Sequence, residues 1–228
     1  MVFFDRYYLI LVIPALILAS IAQIKIKTTY AKYSGVKNGR RLTGAQAAMI
    51  VLNHYDIHDV RIEHVSGNLT DHYDPRTNVI RLSDGVYNGT SIAAVGVACH
   101  EAGHAAQHAE GYLPIKIRNA IIPVCNLGSA AGIPLALFGL IFSIGWLVDF
   151  GLILYSLIAV FQFATLPVEF NASIRAIRVI DENNILYDDE ISGAKKVLRA
   201  AAMTYVASLV VSLANLLRYV LIFNRRRD

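Results

Sequence analysis

The sequence predicts an α+β integral membrane protein with about four transmembrane helices and one small domain outside the bilayer. Of its 228 residues, 55% are apolar and 17% are charged, and the mean hydropathy is +0.47. Soluble domains have about 25% charged residues. Several almost uncharged segments are long enough to cross a bilayer. Between them, short stretches around residues 60–83 have the alternating polarity of β-strands.

The charges and cysteines exclude two other classes of protein. The net charge is +4, and the basic residues lie beside apolar segments rather than in one stripe. This pattern suits membrane topology and lipid headgroups better than nucleic acid. Cys99 and Cys125 are the only cysteines, and a pair so placed gives no disulfide framework.

Residues 1–24 are predicted to form the first transmembrane helix. Residues 7–24 are apolar or nearly so, and 18 helical residues reach about 27 Å against a hydrocarbon core of about 30 Å. A cleaved signal peptide is the alternative. Only Arg6 precedes the run and the cleavage signal is poor, so a retained helix is favoured.

Residues 25–118 are predicted to form the domain outside the bilayer. Its two helices are recognised from N-terminal capping residues. The first helix runs from Thr43 to about Asn53, and Gln46 completes a capping box with Thr43. The second helix runs from Thr90 or Ser91 to about Glu110. Residues 60–65 and 79–83 are predicted strands, separated by the turn-rich stretch 70–78.

The remaining sequence is mostly membrane-spanning. Residues 119–166 contain Asp149 as their only charged residue, and they fit a transmembrane hairpin with its turn near 143–149. Small residues at 128–132 suggest close helix packing, within the chain or with a partner. Residues 167–199 are polar again, and 200–228 form a last transmembrane helix and a basic tail. Arg218 is close enough to the end of that helix to extend its charge to the interface.

The segment VACHEAGHAAQHAEGY, residues 97–112, contains the motif H-E-x-x-H at His100, Glu101 and His104. On a helix, residues four apart share a face, so both imidazoles can reach one ion. Zn²⁺ prefers such nitrogen ligands. Glu101 follows the first histidine and can act as general base towards a metal-activated water. The alternative is a small-residue helix with chance histidines. The apolar run before His100 is too short to place the motif inside the bilayer.

His108 offers a competing ligand pair with His104, but no glutamate lies between the two. It stands eight residues after His100, about 12 Å along a helix. The long zinc motif places its last histidine six residues after the second, beyond a glycine turn. Here the gap is four and Gly111 comes later, so His108 is expected on the surface or beside the ligands.

Glu169 is the candidate third ligand, because a catalytic zinc site usually has three protein ligands and an open position. It lies in LPVEFNASIRAIRVI, residues 166–180, where Pro167 suits the first turn of a helix. The alternative is a solvated glutamate near Arg175 and Arg178.

Membrane topology provides a separate test of whether His100 and Glu169 can bind the same metal. His100 and Glu169 can share a metal only if an even number of spans separates them, and residues 119–166 fit two. Basic residues near the predicted spans place both on the cytoplasmic face. The arginines at 225–227 disagree, since four spans put both termini outside. Either the larger basic clusters decide the orientation, or the last apolar segment does not cross.

Three stretches together resemble YugP-type membrane-bound neutral zinc metallopeptidases of bacteria. They are LTDHYDPRTNVIRLS, VACHEAGHAAQ and LPVEFNAS, in the family's order, and the resemblance covers roughly residues 30–200. More distantly, the chain is similar to the HtpX and CAAX prenyl proteases, which pair H-E-x-x-H with a later E-x-x-A-D.

The resemblance implies a small gluzincin-like zinc peptidase domain with one Zn²⁺ per chain. His100, His104 and Glu169 would hold the ion, and Glu101 would be the general base. Two residues depart from the related patterns. Ser173 stands where the distant families have aspartate, and Asn171 stands where nearer relatives are expected to have it. An acidic partner normally orients a ligand histidine. Its absence here affects how the histidines are oriented but not which three residues are the ligands.

The sequence does not choose the group that stabilises the oxyanion or orients the ligands. The candidates are Tyr73, His72, Asn171, Ser173, Arg175, Arg178 and His108. The strand TNVIRLS is expected to be an exposed edge that receives an extended substrate by strand addition.

Three functions are compatible with these sequence features. The favoured one is a membrane-embedded zinc endopeptidase that hydrolyses membrane-associated or unfolded polypeptides in the bacterial cell membrane. A non-catalytic membrane adaptor that retains the fold is the alternative, but it has no physical need for Glu101. A metal carrier would place ionisable residues within its spans, which hold few. The expected partners are a polypeptide substrate, the lipid bilayer, and a second copy or another membrane protein.

Overall fold

The computed structural model describes residues 5–225, with side chains to residue 223. Residues 1–4 and 226–228, parts of the predicted first segment and of the basic tail, lie outside the described residues. The elements are, in chain order, α1 (Ile13–Ser34, after a π-helical turn at Tyr8–Val12), α2 (Gly44–His54), β1 (Arg61–Val65), β2 (His72–Asp74), β3 (Val79–Ser83), α3 (Asp84–Tyr87), α4 (Ile92–Ala109), α5 (Leu113–Ile141), α6 (Gly145–Glu182) and α7 (Asp188–Arg225).

Four helices of the described chain are long and apolar enough to cross a membrane. They are Tyr8–Ser34, Leu113–Ile141, Gly145–Glu182 and Asp188–Phe223. With the three-stranded sheet, they make the chain an α+β membrane protein, as the sequence predicts.

The chain forms two compact units. The first, here called the apolar unit, contains Ile117–Leu166 and the two ends of the chain, up to residue 23 and from residue 203. The second, here called the site unit, contains Ile24–Lys116 and Pro167–Ala202. Helices α1, α5, α6 and α7 each contribute residues to both units.

In the apolar unit, α5 and α6 pack closely through small residues. A Cβ added at Gly128 would lie 2.5 Å from the carbonyl oxygen of Leu154, so only glycine allows this approach. The predicted small-residue packing therefore occurs within the chain. Arg218, predicted near the end of the last span, is buried and donates to the Asp5 carboxylate, with its Nη2 at 2.8 Å. This partner lies 213 residues away in the sequence, so no local pattern pointed to it.

In the site unit, the sheet has the order β1-β3-β2, with β1 parallel and β2 antiparallel to β3. The capping box at Thr43 and the strand bounds of β1 and β3 agree with the sequence prediction. The substrate-edge prediction for TNVIRLS is wrong, because β3 is the central strand and four of its five residues are buried. The edge strands are β1 and β2, and β2 lies in the stretch predicted only as turns.

Pro167 does not begin a helix as predicted. It lies inside α6, which runs unbroken from Gly145 to Glu182. Proline in a soluble helix interior costs about 3 kcal/mol, but long membrane-spanning helices tolerate it because neighbouring groups satisfy the freed backbone. Helix α5 likewise contains two prolines in its interior, Pro123 and Pro134. One helix therefore carries both an apolar segment and Glu169.

Candidate metal centre

Helix α4 carries the H-E-x-x-H motif, and both of its ends are fixed by local hydrogen bonds. The Ser91 hydroxyl accepts from the backbone N–H of Ala94 at 3.1 Å, which caps the first turn. At the other end, Tyr112 N–H donates to Gln107 C=O and Gly111 N–H donates to His108 C=O. This is a Schellman ending, with Gly111 at φ +66°. The helix is thus continuous through both histidines and ends at Ala109, five residues after His104.

Small residues bring α6 against α4 beside the motif. A Cβ added at Gly103 would lie 2.7 Å from the carbonyl oxygen of Ala172, so the two backbones meet at this glycine. Ala102, Ala172 and Ala176 are fully buried, and Ala102 and Ala176 belong to one hydrophobic core. Glu169 lies three residues before Ala172, one helical turn away. The close approach therefore carries its carboxylate to the face of α4 that holds the histidines.

His100, His104 and Glu169 converge in the folded chain. The Oε2 atom of Glu169 lies 3.3 Å from Nε2 of His100 and 3.7 Å from Nε2 of His104. One potential ligand atom from each residue lies within 4.8 Å of the other two. Glu169 is 5% exposed, and both histidines are partly buried.

The donor set fits a zinc ion. Ligand atoms about 2.0–2.1 Å from a tetrahedral centre are about 3.3 Å apart, close to the observed spacing of the glutamate oxygen from the two imidazole nitrogens. Two imidazoles and a carboxylate are ligands that Zn²⁺ accepts. The three residues therefore have both the chemistry and the spacing of a three-ligand site.

Glu101 is buried beside this cluster, with 9% of its surface exposed. Its Oε2 atom accepts the backbone N–H of Tyr73 on β2 at 3.1 Å. That N–H is directed to α4 and not to β3, so the outer edge of β2 faces the glutamate. The bond holds the carboxylate through Oε2.

Each histidine of the cluster is held by a neutral side chain on its second ring nitrogen. Nδ1 of His104 lies 3.0 Å from Oε1 of Gln107, and Nδ1 of His100 lies 3.2 Å from the Ser173 hydroxyl. The Gln107 oxygen can only accept, so it favours the His104 tautomer in which Nδ1 carries the proton and Nε2 is free to bind a metal. In both residues, Nε2 is the atom that faces Glu169.

Gln107 connects His104 to α6. It has no exposed surface, and its amide group donates to the carbonyl of Val168 at 2.8 Å and to Oδ1 of Asn171 at 2.9 Å. Because both donors are bonded to oxygens, the carbonyl end of Gln107 must face the histidine. The amide thus fixes the orientation of the imidazole.

Asn171 is the midpoint of a longer series of bonds. Its Oδ1 also accepts from Nε of Arg175 at 2.7 Å, and Nη2 of Arg175 lies 2.7 Å from the Glu110 carboxylate. Asn171 therefore supplies an oxygen where an aspartate was expected, without adding a charge. At the end of the series farthest from His104, the charges of Arg175 and Glu110 neutralise each other.

The cluster has an electrostatic preference for a cation. Burial alone would lower the pKa of His104, but its hydrogen bond with Glu169 and the charge of Glu101 outweigh burial and raise that pKa. Two carboxylates thus act on the imidazole that adjoins them. The negative charges of the same two carboxylates would also attract a metal cation.

The other predicted candidates lie apart from the three-residue cluster or contact it only through neighbours. The Tyr73 hydroxyl donates to Asn78 at 2.7 Å and lies 3.1 Å from Nδ1 of the exposed His108. Burial, and then the charges of Asp59 and Asp74, raise the pKa of Tyr73 to about 12, so its hydroxyl is protonated at neutral pH. The exposed residue His72 bonds to the Thr70 carbonyl, and Arg178 lines a surface groove.

Gln107 is the residue that the sequence reasoning missed. It follows His104 by three positions, so it lies on the same helical face. Spacing could therefore have suggested it as a partner of the imidazole. Its bonds to α6 could not be foreseen, since they join residues 61 and 64 apart.

Taken together, an H-E-x-x-H helix meets a glutamate from a second helix in a chain with four candidate membrane spans. This combination defines a class of membrane-bound metallopeptidase-like proteins.

Residues 8–224 match the family described as "Putative neutral zinc metallopeptidase", and the chain belongs to that family. It is also 46% identical over 221 residues to the "Putative membrane protease YugP" of Bacillus subtilis (strain 168), which spans 97% of this chain and 98% of that protein. No solved structure was found to match the chain.

Proposed function

We propose that the protein is a zinc-dependent endopeptidase that hydrolyses peptide bonds of membrane-associated or unfolded polypeptides. One observation carries the proposal. Nε2 of His100, Nε2 of His104 and Oε2 of Glu169 converge at ligand spacing, with the buried carboxylate of Glu101 beside them. This is the donor set of a gluzincin-like site, with one Zn²⁺ per chain. Membership of the zinc metallopeptidase family supports the same reading.

The proposed chemistry divides between the ion and the chain. When bound, Zn²⁺ acts as a Lewis acid and lowers the pKa of water towards about 7. Oε1 of Glu101 accepts the proton of the attacking water, since Oε2 is held by the Tyr73 N–H. The same carboxyl group then gives that proton to the nitrogen of the leaving amine as the C–N bond breaks. Gln107 and Ser173 keep the two imidazoles oriented throughout.

The outer edge of β2 is the proposed binding position for an extended substrate. This edge has no strand partner among the described residues, and its Tyr73 N–H faces Glu101. Because the Tyr73 N–H stays bonded to Glu101, a peptide would pair there through the carbonyl of Tyr73 and would lie beside the general base. A peptide that is N-methylated at a residue that pairs with β2 is expected to be cleaved with a lower kcat/KM. A peptide methylated at the alternate residues, which do not pair, is expected to keep its kcat/KM. Equal cleavage of all the methylated peptides would refute this binding mode.

The test of the proposal is metal content and peptidase activity of the full chain purified in detergent. Wild type is expected to hold about one zinc and to cleave an unfolded protein substrate. Glu101→Gln should keep the zinc and lose the activity, and Glu169→Ala should lose both. Glu182→Ala is the matched control, because Glu182 is a carboxylate on the same helix with 53% of its side chain exposed. It should behave as wild type.

Each other outcome counts against a named part of the proposal. Equal zinc content in Glu169→Ala would remove Glu169 as a ligand and favour His108. Zinc in wild type without cleavage of any substrate would favour the membrane adaptor.

The proposed location of the site unit is the cytoplasmic face of the bacterial cell membrane. The basic residues beside the apolar segments support this orientation. Asn68 lies in an exposed loop of the site unit. A cysteine placed there by Asn68→Cys should escape a membrane-impermeant maleimide in whole cells and react after lysis. Labelling in intact cells would reverse the orientation.

A further inference from the structure

A groove of about 630 Å³ lies between α6 and α7 in the site unit, outside the metal cluster. We call it the α6–α7 groove. Its wall is mainly hydrocarbon, from Phe170, Ile174, Ile177, Leu198 and Ala202. Its volume is typical of pockets that bind small molecules, which range over about 300–1,000 Å³.

Three cations line the same groove: Arg178, Lys195 and Arg199. All three are exposed, and none lies within 4.0 Å of a carboxylate among the described side chains. Asp181 is the one acidic residue of the lining, so the three cations and this carboxylate give the groove a formal charge of +2. Unpaired cations around an apolar wall are complementary to an anionic molecule with a hydrocarbon part.

Both walls of the groove adjoin apolar sequence. Phe170 directly follows Glu169, the first charged residue after the uncharged stretch 150–168 of α6. On α7, Arg199 immediately precedes the long apolar segment that begins at Ala200. Each helix therefore changes from charged to apolar sequence at the groove. Basic residues at such a boundary attract anionic lipid headgroups.

We propose that the α6–α7 groove binds an anionic phospholipid, with an acyl chain along the apolar wall and the phosphate among Arg178, Lys195 and Arg199. A peptide fits the wall less well, because its backbone N–H and C=O groups would need hydrogen-bonding partners. Ser173, one of the few polar residues of the lining, is already bonded to His100. An acyl chain needs no such partner.

The test uses native mass spectrometry of the full chain in detergent, titrated with phosphatidylglycerol or phosphatidylcholine. One phosphatidylglycerol is expected to bind at least about tenfold more tightly than phosphatidylcholine. The double variant Lys195→Gln, Arg199→Gln should weaken phosphatidylglycerol binding by about 25-fold, at roughly fivefold for each cation. This readout is independent of zinc and of peptidase activity.

The matched control removes two exposed cations that do not line the groove, Lys37→Gln and Lys196→Gln. Equal losses in the two double variants would show general charge attraction and overturn the proposal. Ile174→Glu tests the apolar wall, since Ile174 is 57% exposed and its replacement leaves the core intact. Unchanged phosphatidylglycerol binding in Ile174→Glu would also overturn it.

A further arm separates a lipid from a free anion. Inorganic phosphate at millimolar concentration, with ionic strength held constant, is expected not to displace phosphatidylglycerol. Displacement would identify a simple phosphate site and overturn the lipid assignment.

Discussion

Replacing Gln107 by leucine tests whether the bonds behind His104 hold the metal centre. Leucine keeps the approximate volume of the side chain but removes its amide. The change takes away the acceptor that lies 3.0 Å from Nδ1 of His104. Because Gln107 is fully buried, water does not reach the position to replace it.

The expected loss follows from which partners are left without a bond. Oδ1 of Asn171 keeps its bond from Arg175, and the Val168 carbonyl lies inside α6, where it has a helical donor. The unsatisfied group is the buried N–H of His104, which costs about 1–3 kcal/mol. Loss of a residue that orients a ligand typically weakens metal binding by about 10–100-fold, or about 1.4–2.7 kcal/mol. The two ranges agree.

The assay is zinc affinity of the full chain in detergent, measured by competition with a fluorescent chelator. Thermal unfolding of the metal-free variants separates loss of affinity from loss of fold. Ser173→Ala is the comparison, because the Ser173 hydroxyl makes the equivalent bond to His100 at 3.2 Å but is only half-buried. Water can replace that hydroxyl, so the loss should stay within about fivefold.

An affinity of Gln107→Leu within threefold of wild type, in a folded protein, would refute the reasoning. It would mean that the imidazole keeps its orientation without the amide. A larger effect of Ser173→Ala than of Gln107→Leu would also contradict it, because burial would then not decide the cost.

Three other predictions concern separate parts of the chain. Asn171→Asp should keep zinc affinity within about threefold, because the carboxylate accepts from the same two donors; a loss above tenfold in the chelator competition would contradict this. Cys99 is fully buried and burial raises its pKa, so in a Cys125→Ala background maleimide at pH 8 should label it only after denaturation; rapid labelling of the native protein would be the contrary result. Asp5→Asn should destabilise the apolar unit by about 1.5–3 kcal/mol, as the charged hydrogen bonds to Arg218 weaken, and an unchanged unfolding midpoint in detergent would contradict it.

Local signals predicted the local elements well. The cap at Ser91 and the capping box at Thr43 set the starts of α4 and α2, because these bonds are made between residues three apart. Spacing also placed His100 and His104 on one helical face. Glu169 was different: only the search for a third ligand and the family resemblance singled it out. Its position beside the histidines depends on how α6 crosses α4.

The errors arose where a residue's neighbours come from distant sequence. Alternation in residues 79–83 indicated a strand but not its place in the sheet, and β3 proved to be central. Pro167 resembled a helix start because the pattern cannot show what supports a proline in the middle of a long helix. The ion pair of Arg218 was not predicted, because its partner Asp5 belongs to the opposite end of the chain.

The contact between Gly103 and Ala172 changes the meaning of the motif H-E-x-x-H in this protein. The two letters written as x are usually treated as free, yet here one of them is the place where two helix backbones touch. Alanine at position 103 would separate the helices and take the third ligand away from the other two, although all three ligands would still be present in the sequence. Anyone who moves this site to another scaffold must therefore copy a glycine that binds nothing.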